Sequence, residues 1–183
     1  MTTADRAARL ANTVLTVATI PLLHRMRNDL DRNGTLRRGT QMMMWAAYAT
    51  FGVLLTDSLA RHRDVPTGRR VAGYAVAAAG TALAGACMTP FASPQQLNGG
   101  ETGELITGGI YNYSRNPQYT GFVAATAGLA AARDSPRAAL LAIELAVVVR
   151  AWAAVEERHL QRQFGTAYGR LCGRVPRWIG VRS

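Results

Sequence analysis

Apolar and polar positions occur along this chain in long blocks, with arginine-rich segments between apolar ones. Residues 39–56, 71–100 and 116–132 contain no charged residue. Charge-free stretches of this length are expected for helices that cross a bilayer, which need about 20 residues. The pattern therefore predicts an all-α, polytopic integral membrane protein with about five transmembrane helices, at residues 10–23, 41–60, 71–92, 117–132 and 137–155.

The last two apolar segments are separated only by residues 133–136, Arg-Asp-Ser-Pro. Proline is suited to the first turn of a helix, so a new helix is expected to begin at Pro136. The short connection predicts an antiparallel helical hairpin. Pro90 and Pro94 end the third segment, and a polar loop is expected to follow them.

The charge of the chain supports the membrane interpretation. All 21 basic residues are arginine and 11 residues are acidic, so the formal charge is +10. Such an excess suits nucleic acid, an anionic membrane surface or positive-inside loops. The arginines cluster between apolar segments and form no tract with interleaved aromatic residues, so contact with membrane lipids is predicted and nucleic-acid binding is not. The mean hydropathy of +0.01 averages the two kinds of segment.

The distribution of arginine also predicts an orientation. Counted over alternate connecting segments, twelve arginines lie on the side of the C-terminus and eight on the other. The positive-inside rule then places the Arg115 loop and the segment after Glu156 in the cytosol. Residues 10–23 lack a small-residue cleavage pattern and are predicted to be a retained span. With a bacteria-like composition, the expected location is the inner membrane.

Candidate chemistry begins in residues 109–121, GIYNYSRNPQYTG. Asn116 followed by Pro117 is a natural helix start. The free backbone N–H groups there, together with the Arg115 guanidinium, suit an anionic ligand group. An interfacial belt of aromatic and arginine residues, which membrane proteins need, would give the same pattern.

The end of the last apolar segment carries a second polar cluster. On an ideal helix Arg150 and Glu157 share a stripe with Ala154, Gln161 and Phe164, which is predicted to line a polar cavity. Glu156 is expected to point elsewhere, nearer His159 and Gln163. His159 could act as a general base or be merely exposed, and Glu144 is interpreted as a hydrogen-bond partner between helices. Cys87 and Cys172 lack metal or redox spacing, so no metal site is predicted.

The order of motifs over about residues 107–180 resembles the isoprenylcysteine carboxyl methyltransferases and the related phospholipid N-methyltransferases. The pattern is Gly-x-Tyr, Arg-Asn-Pro-x-Tyr-x-Gly, a helical hairpin, Glu-Glu-x-x-Leu, Phe-Gly-x-x-Tyr and Arg-Val-Pro. Asn116 stands where the carboxyl methyltransferases have histidine, which leaves the substrate open. The first hundred residues are similar only as generic membrane helices.

The resemblance implies an integral membrane methyltransferase that uses S-adenosylmethionine and releases S-adenosylhomocysteine. Residues 1–183 would form one domain, with membrane helices in 1–100 and the cofactor-binding half in 101–183. The pocket would be built from the Arg-x-Pro loop, the two final helices and the tail. By motif, the catalytic candidates are Arg115, Glu157 and Arg174, and the cofactor-binding candidates are Tyr111, Asn116, Pro117, Tyr119, Gly121, Glu156, Glu157 and Tyr168.

Within such a site, we expect Asn116 and Tyr119 to bind the amino-acid part or the adenosine of the cofactor. Glu156 or Glu157 would hold its ammonium or ribose hydroxyls, and an arginine would orient an anionic acceptor. The acceptor is expected to be lipophilic, with a carboxylate, amine or hydroxyl, and to enter laterally from the bilayer. An NADPH-dependent membrane reductase of the sterol-reductase type and a non-catalytic membrane scaffold are the alternatives.

Overall fold

The computed structural model describes residues 3–60 and 63–179, with side chains from residue 17 onward. The regular structure in these ranges is helical, which confirms the all-α prediction for them. A 3-10 turn, Gly109–Asn112, stands before the fifth helix. The helices are α1 (Thr3–Asn33), α2 (Arg38–Ala60), α3 (Thr67–Ala86), α4 (Pro94–Leu97), α5 (Pro117–Ala132), α6 (Pro136–Phe164) and α7 (Thr166–Arg174).

Each of the five apolar segments lies in a helix, although several bounds differ from the prediction. The segment 10–23 is the middle of the much longer α1, whose Pro21 does not end it. The helix α3 ends at Ala86, before Pro90 is reached, and the single turn α4 interrupts the predicted polar loop. The side chains of residues 10–16, and of Arg6, Arg9, Arg61 and Arg182 in the orientation count, lie outside the described residues.

Membrane character is clearest in α6, the one helix among the described residues that is long and apolar enough to cross a bilayer. The helix α5 has only 16 residues, and α3 is rich in alanine and glycine. The five-span topology therefore stays a prediction. The outward helix faces nevertheless carry exposed large apolar side chains, as a lipid-contacting surface would; examples are Ile20, Met42, Val53, Ile143 and Val147.

Small residues bring the backbones of α3 and α5 into direct contact. A Cβ atom added at Gly80 would lie 2.5 Å from the Ala125 nitrogen and 2.7 Å from the Gly121 oxygen. Gly73 meets Ala132 at the other end of the contact, so the two helices run antiparallel. Close approach through small residues is typical of helix pairs in membranes, where apolar burial alone gives little driving force.

The helix α6 is the centre of the bundle, because it contacts α1, α2 and α5. Its buried Val149 and Trp152 pack in one cluster with Met26 of α1, Met44 of α2 and Tyr119 of α5. Burial of this kind stabilises by roughly 25 cal/mol per Å² of apolar surface removed from water. The cluster ends where the polar residues after Trp152 begin.

The predicted hairpin of α5 and α6 is present, and its turn also forms hydrogen bonds with the C-terminal end of α2. The Ser135 hydroxyl accepts a hydrogen bond from the Ala138 amide and caps α6. The same hydroxyl donates to the Ser58 carbonyl over 2.8 Å, and Nε of Arg133 donates to the Leu59 carbonyl over 3.2 Å. These bonds satisfy carbonyls at the end of α2 that lack helical partners.

Candidate functional site

A cavity of about 680 Å³ lies between α1, α2, α5 and α6, with α7 and residues 96–106 at one end. Its size falls within the range of roughly 300–1,000 Å³ that is usual for ligand sites. Most of its lining is apolar. The polar lining residues that concern the predicted site are Tyr111, Arg115, Asn116, Tyr119, Glu156 and Tyr168.

The loop before α5 supplies the first group of polar residues. Asn116 occupies the N-cap position and Pro117 the first turn of α5, as predicted. The Asn116 side chain does not cap the helix, however. Its Nδ2 atom donates a hydrogen bond of 2.9 Å to Oε1 of Glu157, and both residues are buried. Asn116 therefore ties the start of α5 to the end of α6.

The carboxylate of Glu157 is occupied by protein groups. Arg177 donates to its Oε2 atom from Nε over 3.0 Å and from Nη2 over 2.6 Å. Nη1 of Arg115 lies 3.7 Å from the same oxygen. The hydrogen bonds that Arg177 donates to Glu157 raise the pKa of Arg177, so its guanidinium stays protonated. Glu157 is thus a structural anchor for two arginines and Asn116.

Sequence reasoning missed Arg177, although it directly follows the Arg-Val-Pro motif. Its carbonyl accepts a hydrogen bond of 2.9 Å from the fully buried Ser114 hydroxyl. The Arg115 amide donates to the Pro176 carbonyl over 2.9 Å. The C-terminal tail therefore folds back over the hairpin and fixes the loop that carries Arg115.

Glu156 has different surroundings from its neighbour. It lines the cavity and accepts a hydrogen bond of 2.8 Å from the Tyr119 hydroxyl. No arginine or histidine pairs with it among the residues that the structure describes. One helical turn away, Trp152 stacks on Tyr48, with centroids 5.8 Å apart at 14°. A carboxylate beside aromatic faces suits a cationic ligand group.

The prediction of which α6 stripe lines the cavity was wrong. Arg150, Ala154 and Gln161 are exposed, and Glu157 does not line the cavity. The physical reason is the packing of α6, which turns the face of Trp152 toward α2 and α5. Apart from Phe164, the cavity wall comes from the other stripe, with Glu156, His159 and Gln163.

Two polar atoms near the cavity have no hydrogen-bond partner in the described part of the chain. One is the hydroxyl of Tyr168, a side chain only 3% exposed, and the other is Nε of Arg115. Buried polar atoms without a partner are uncommon and call for an explanation such as a bound ligand. Burial raises the pKa of Tyr168, with a smaller contribution from the neighbouring Cys172 sulfur, which is only a weak acceptor, so the hydroxyl stays a hydrogen-bond donor.

Tyr111, another tyrosine of the predicted site, lies in the 3-10 turn before α5. Its hydroxyl donates to the Cys87 carbonyl over 3.1 Å, and the residue lines the cavity. Burial raises the pKa of Tyr111 as well, so it cannot serve as an anionic group near neutral pH. Tyr111 can present its ring edge to a ligand and joins the loop to the end of α3.

Besides Glu157, the structure leaves three predicted site residues away from the cavity lining. Pro117 is buried at the start of α5. A Cβ at Gly121 would meet the backbone of Gly80 and Ala84, so this glycine packs against α3. Arg174 is exposed at the end of α7. Pro117 and Gly121 therefore shape the helix that carries Tyr119.

Residues 69–167 match the family model described as phospholipid methyltransferase, PEMT. The matched range includes α3, α5 and α6, and with them Arg115, Asn116, Tyr119, Glu156 and Glu157. No curated protein matches the chain, and no solved structure does. Since the match covers more than half of the 183 residues, the chain belongs to the phospholipid methyltransferase family.

Proposed function

We propose that this protein transfers a methyl group from S-adenosylmethionine to a lipophilic acceptor at the cytosolic face of a membrane. Family membership supports methyltransferase activity in general. The observation that carries the cofactor assignment is the set of unused groups around one cavity. Tyr168 and Arg115 offer donors without a partner, and Glu156 offers a carboxylate without a cation among the described residues.

The residues present fit this cofactor. Its amino-acid part carries a carboxylate and an ammonium, and its sulfur is a sulfonium cation. Arg115 and Tyr168 would hold the carboxylate, because both present buried donors and hydrogen bonds to ionised groups are stronger than neutral ones. Glu156 would hold the ammonium or face the sulfonium. When bound, the cofactor supplies a methyl group that the positive sulfur already activates.

The protein itself then needs to bind, orient and exclude water. Correct alignment of two reactants can supply much of a rate acceleration. The chain of contacts from Arg177 through Glu157 to Asn116 holds the Arg115 loop against the hairpin. Glu157 is therefore assigned as a positioning residue, and Glu156 as the carboxylate that touches the ligand.

The acceptor is proposed to reach the cavity from the bilayer between α2 and α6. Trp45 and Tyr48 of α2 line the cavity and are also 53% and 44% exposed, so the cavity reaches the outer surface there. Neighbouring Met42 and Val53 give this surface an apolar character. A carboxylate, amine or hydroxyl acceptor is compatible with the site, and an amine would first have to lose a proton.

A membrane location is indicated by the family and by α6. The inner membrane of a bacterium and a cytosolic site are part of the proposal. The unequal distribution of arginine supports this orientation. The cytosol is also the compartment in which a soluble cofactor is available to the site.

Two alternative functions remain distinguishable by cofactor binding. An NADPH-dependent reductase would bind a dinucleotide, whose phosphates need cationic partners. Arg177, which could otherwise supply one, is paired with Glu157. A non-catalytic scaffold would bind neither cofactor. It would also not explain why the buried Tyr168 hydroxyl lacks a hydrogen-bond partner among the described residues.

The test is calorimetric titration of detergent-purified protein with S-adenosylhomocysteine and, in parallel, with NADPH. We expect micromolar affinity for S-adenosylhomocysteine and no affinity for NADPH. Glu156→Gln should weaken the binding at least tenfold, because it removes the carboxyl group that can ionise beside a cationic ligand group. Binding of NADPH alone would support a reductase, and binding of neither by folded protein would support a scaffold.

A further inference from the structure

The cavity lining extends well past the residues that are proposed to hold the cofactor. It continues along α5 to Leu129 and along α6 back to Glu144. Glu144 precedes Glu156 by twelve residues, which corresponds to about 18 Å along a helix. The part of the cavity between these two carboxylates is lined mainly by apolar residues, and beyond Glu156 the lining continues to Phe164 and to the loop that carries Glu101 and Glu104.

Of the described α6 residues that line the cavity before Glu156, Glu144 is the only ionisable one, and apolar residues such as Phe51, Leu55 and Leu129 line the same cavity. It is half-buried and lies inside the helix that can cross a membrane. An ionisable side chain at such a depth is costly, and it is usually retained for a functional reason.

Glu144 already interacts with another protein group, but its carboxyl group can accept more than one hydrogen bond. An ionised carboxylate offers about four acceptor positions. A donor on a ligand can therefore be added to the contacts that it already makes. The apolar walls would select a hydrocarbon body between the two carboxylates.

We propose that Glu144 recognises the distal end of the methyl acceptor, which is an elongated lipophile with a second hydrogen-bond donor, a hydroxyl or an amine, at the end away from the methylated atom. This inference rests on the proposed function, since it concerns the acceptor of that reaction. Glu144 is a specificity-determining residue in this proposal and takes no part in the chemistry.

The experiment compares paired alcohols with protein in lipid nanodiscs. Dodecanol carries one hydroxyl and dodecanediol one at each end, and shorter and longer diols vary the span. Binding is followed by the tryptophan emission, because Trp152 and Trp45 line the cavity. Each ligand is measured against wild type, Glu144→Leu and Glu144→Gln in the same lipid, so that partition into the bilayer cancels.

A hydrogen bond to a charged group contributes enough for about a tenfold difference in affinity. Wild type is expected to prefer a diol of matching length over the mono-alcohol by that factor. Glu144→Leu should lose the preference while binding dodecanol unchanged, and Glu144→Gln, which keeps one acceptor oxygen, should lose less. Equal weakening of both ligands in Glu144→Leu would show a structural role and overturn the proposal.

Absence of a diol preference at every length in wild type would overturn it as well. S-adenosylhomocysteine is titrated into the same three proteins to separate this failure from that of the proposed function. Intact binding of S-adenosylhomocysteine without a diol preference would refute only the role of Glu144. If wild type does not bind S-adenosylhomocysteine, the methyltransferase assignment itself is refuted.

Discussion

Glu156 and Glu157 are adjacent on α6, yet their carboxylates lie in opposite kinds of surroundings. Glu157 is held by Asn116 and Arg177 behind the cavity wall, whereas Glu156 lines the cavity and accepts hydrogen bonds from the Tyr119 hydroxyl and the Trp152 side chain. Successive residues on an α-helix differ in direction by about 100° because there are 3.6 residues per turn. Within one motif, Glu157 therefore anchors the neighbouring loop and tail, and Glu156 is placed to contact a ligand.

Exchange of each glutamate for glutamine should separate these two roles. Glu157→Gln leaves Arg177 and the buried Arg115 without their countercharge, so the free energy of unfolding should fall by about 2 kcal/mol. Glu156→Gln should leave it nearly unchanged and weaken binding of S-adenosylhomocysteine. Thermal unfolding and calorimetry on the same preparations measure both quantities.

Each variant is the control for the other, because the chemical change is identical and the positions are neighbours. A stable Glu157→Gln protein that has lost the cofactor would reverse the assignment. Loss of stability in Glu156→Gln would show that its bond to Tyr119 is structural.

The contact of Arg177 with Glu157 predicts that the tail opens when this arginine is removed. In Arg177→Ala, the bond from the Arg115 amide to the Pro176 carbonyl should break, and hydrogen exchange at that amide should rise about tenfold. Arg177→Lys should rescue little, since lysine cannot present the two guanidinium donors.

Arg174→Ala is the matched control for tail anchoring, because Arg174 is exposed three residues earlier. Exchange at the Arg115 amide should not change in this variant. Equal effects of the two substitutions would mean that total charge, and not the specific contact, holds the tail.

Much of the fold could be predicted because the charge-free stretches 39–56, 71–100 and 116–132 alternate with arginine-rich segments. The hairpin turn followed from Pro136 and the few residues before it. The pairing of α3 with α5 could not be predicted, since Gly80 and Gly121 look like any other glycines until the two helices are aligned. The length of α1 was missed because polar residues flank its apolar middle.

For the site, the motifs identified Asn116 and both glutamates but not their partners. A helical wheel relates residues on one helix and says nothing about which face meets a neighbour, so the stripe of Arg150 was chosen over that of Glu156. Asn116 was expected to cap α5, but its side chain donates a hydrogen bond to Glu157, forty-one residues later. Such long-range contacts have no local signal.

The glycine contact of α3 with α5 predicts a sharp difference between two glycines of one helix. Gly80→Ala places a methyl group 2.5 Å from the Ala125 nitrogen, so the helices must separate, at a cost of about 2 kcal/mol. Gly85→Ala has no atom within 4 Å of the new Cβ, and alanine is the better helix former.

Thermal unfolding in detergent should therefore show a lower melting temperature for Gly80→Ala and an equal or higher one for Gly85→Ala. Similar melting temperatures for both variants would mean that α3 does not pack on α5 through this contact.

Removal of the Tyr168 hydroxyl should change the stability of the protein and its affinity for the cofactor product in opposite directions. This hydroxyl is buried without a partner among the described residues, and such a group costs about 1–3 kcal/mol of stability. Tyr168→Phe should therefore raise the melting temperature of the ligand-free protein, while its affinity for S-adenosylhomocysteine falls about tenfold because a donor to the ligand is lost. Tyr113→Phe makes the same change at a side chain that is 71% exposed, and should alter neither quantity. A substitution that stabilises the empty protein and weakens the complex is the expected mark of a ligand contact. If Tyr168→Phe lowers the melting temperature and leaves affinity intact, the hydroxyl serves the fold and the cofactor carboxylate must be held elsewhere.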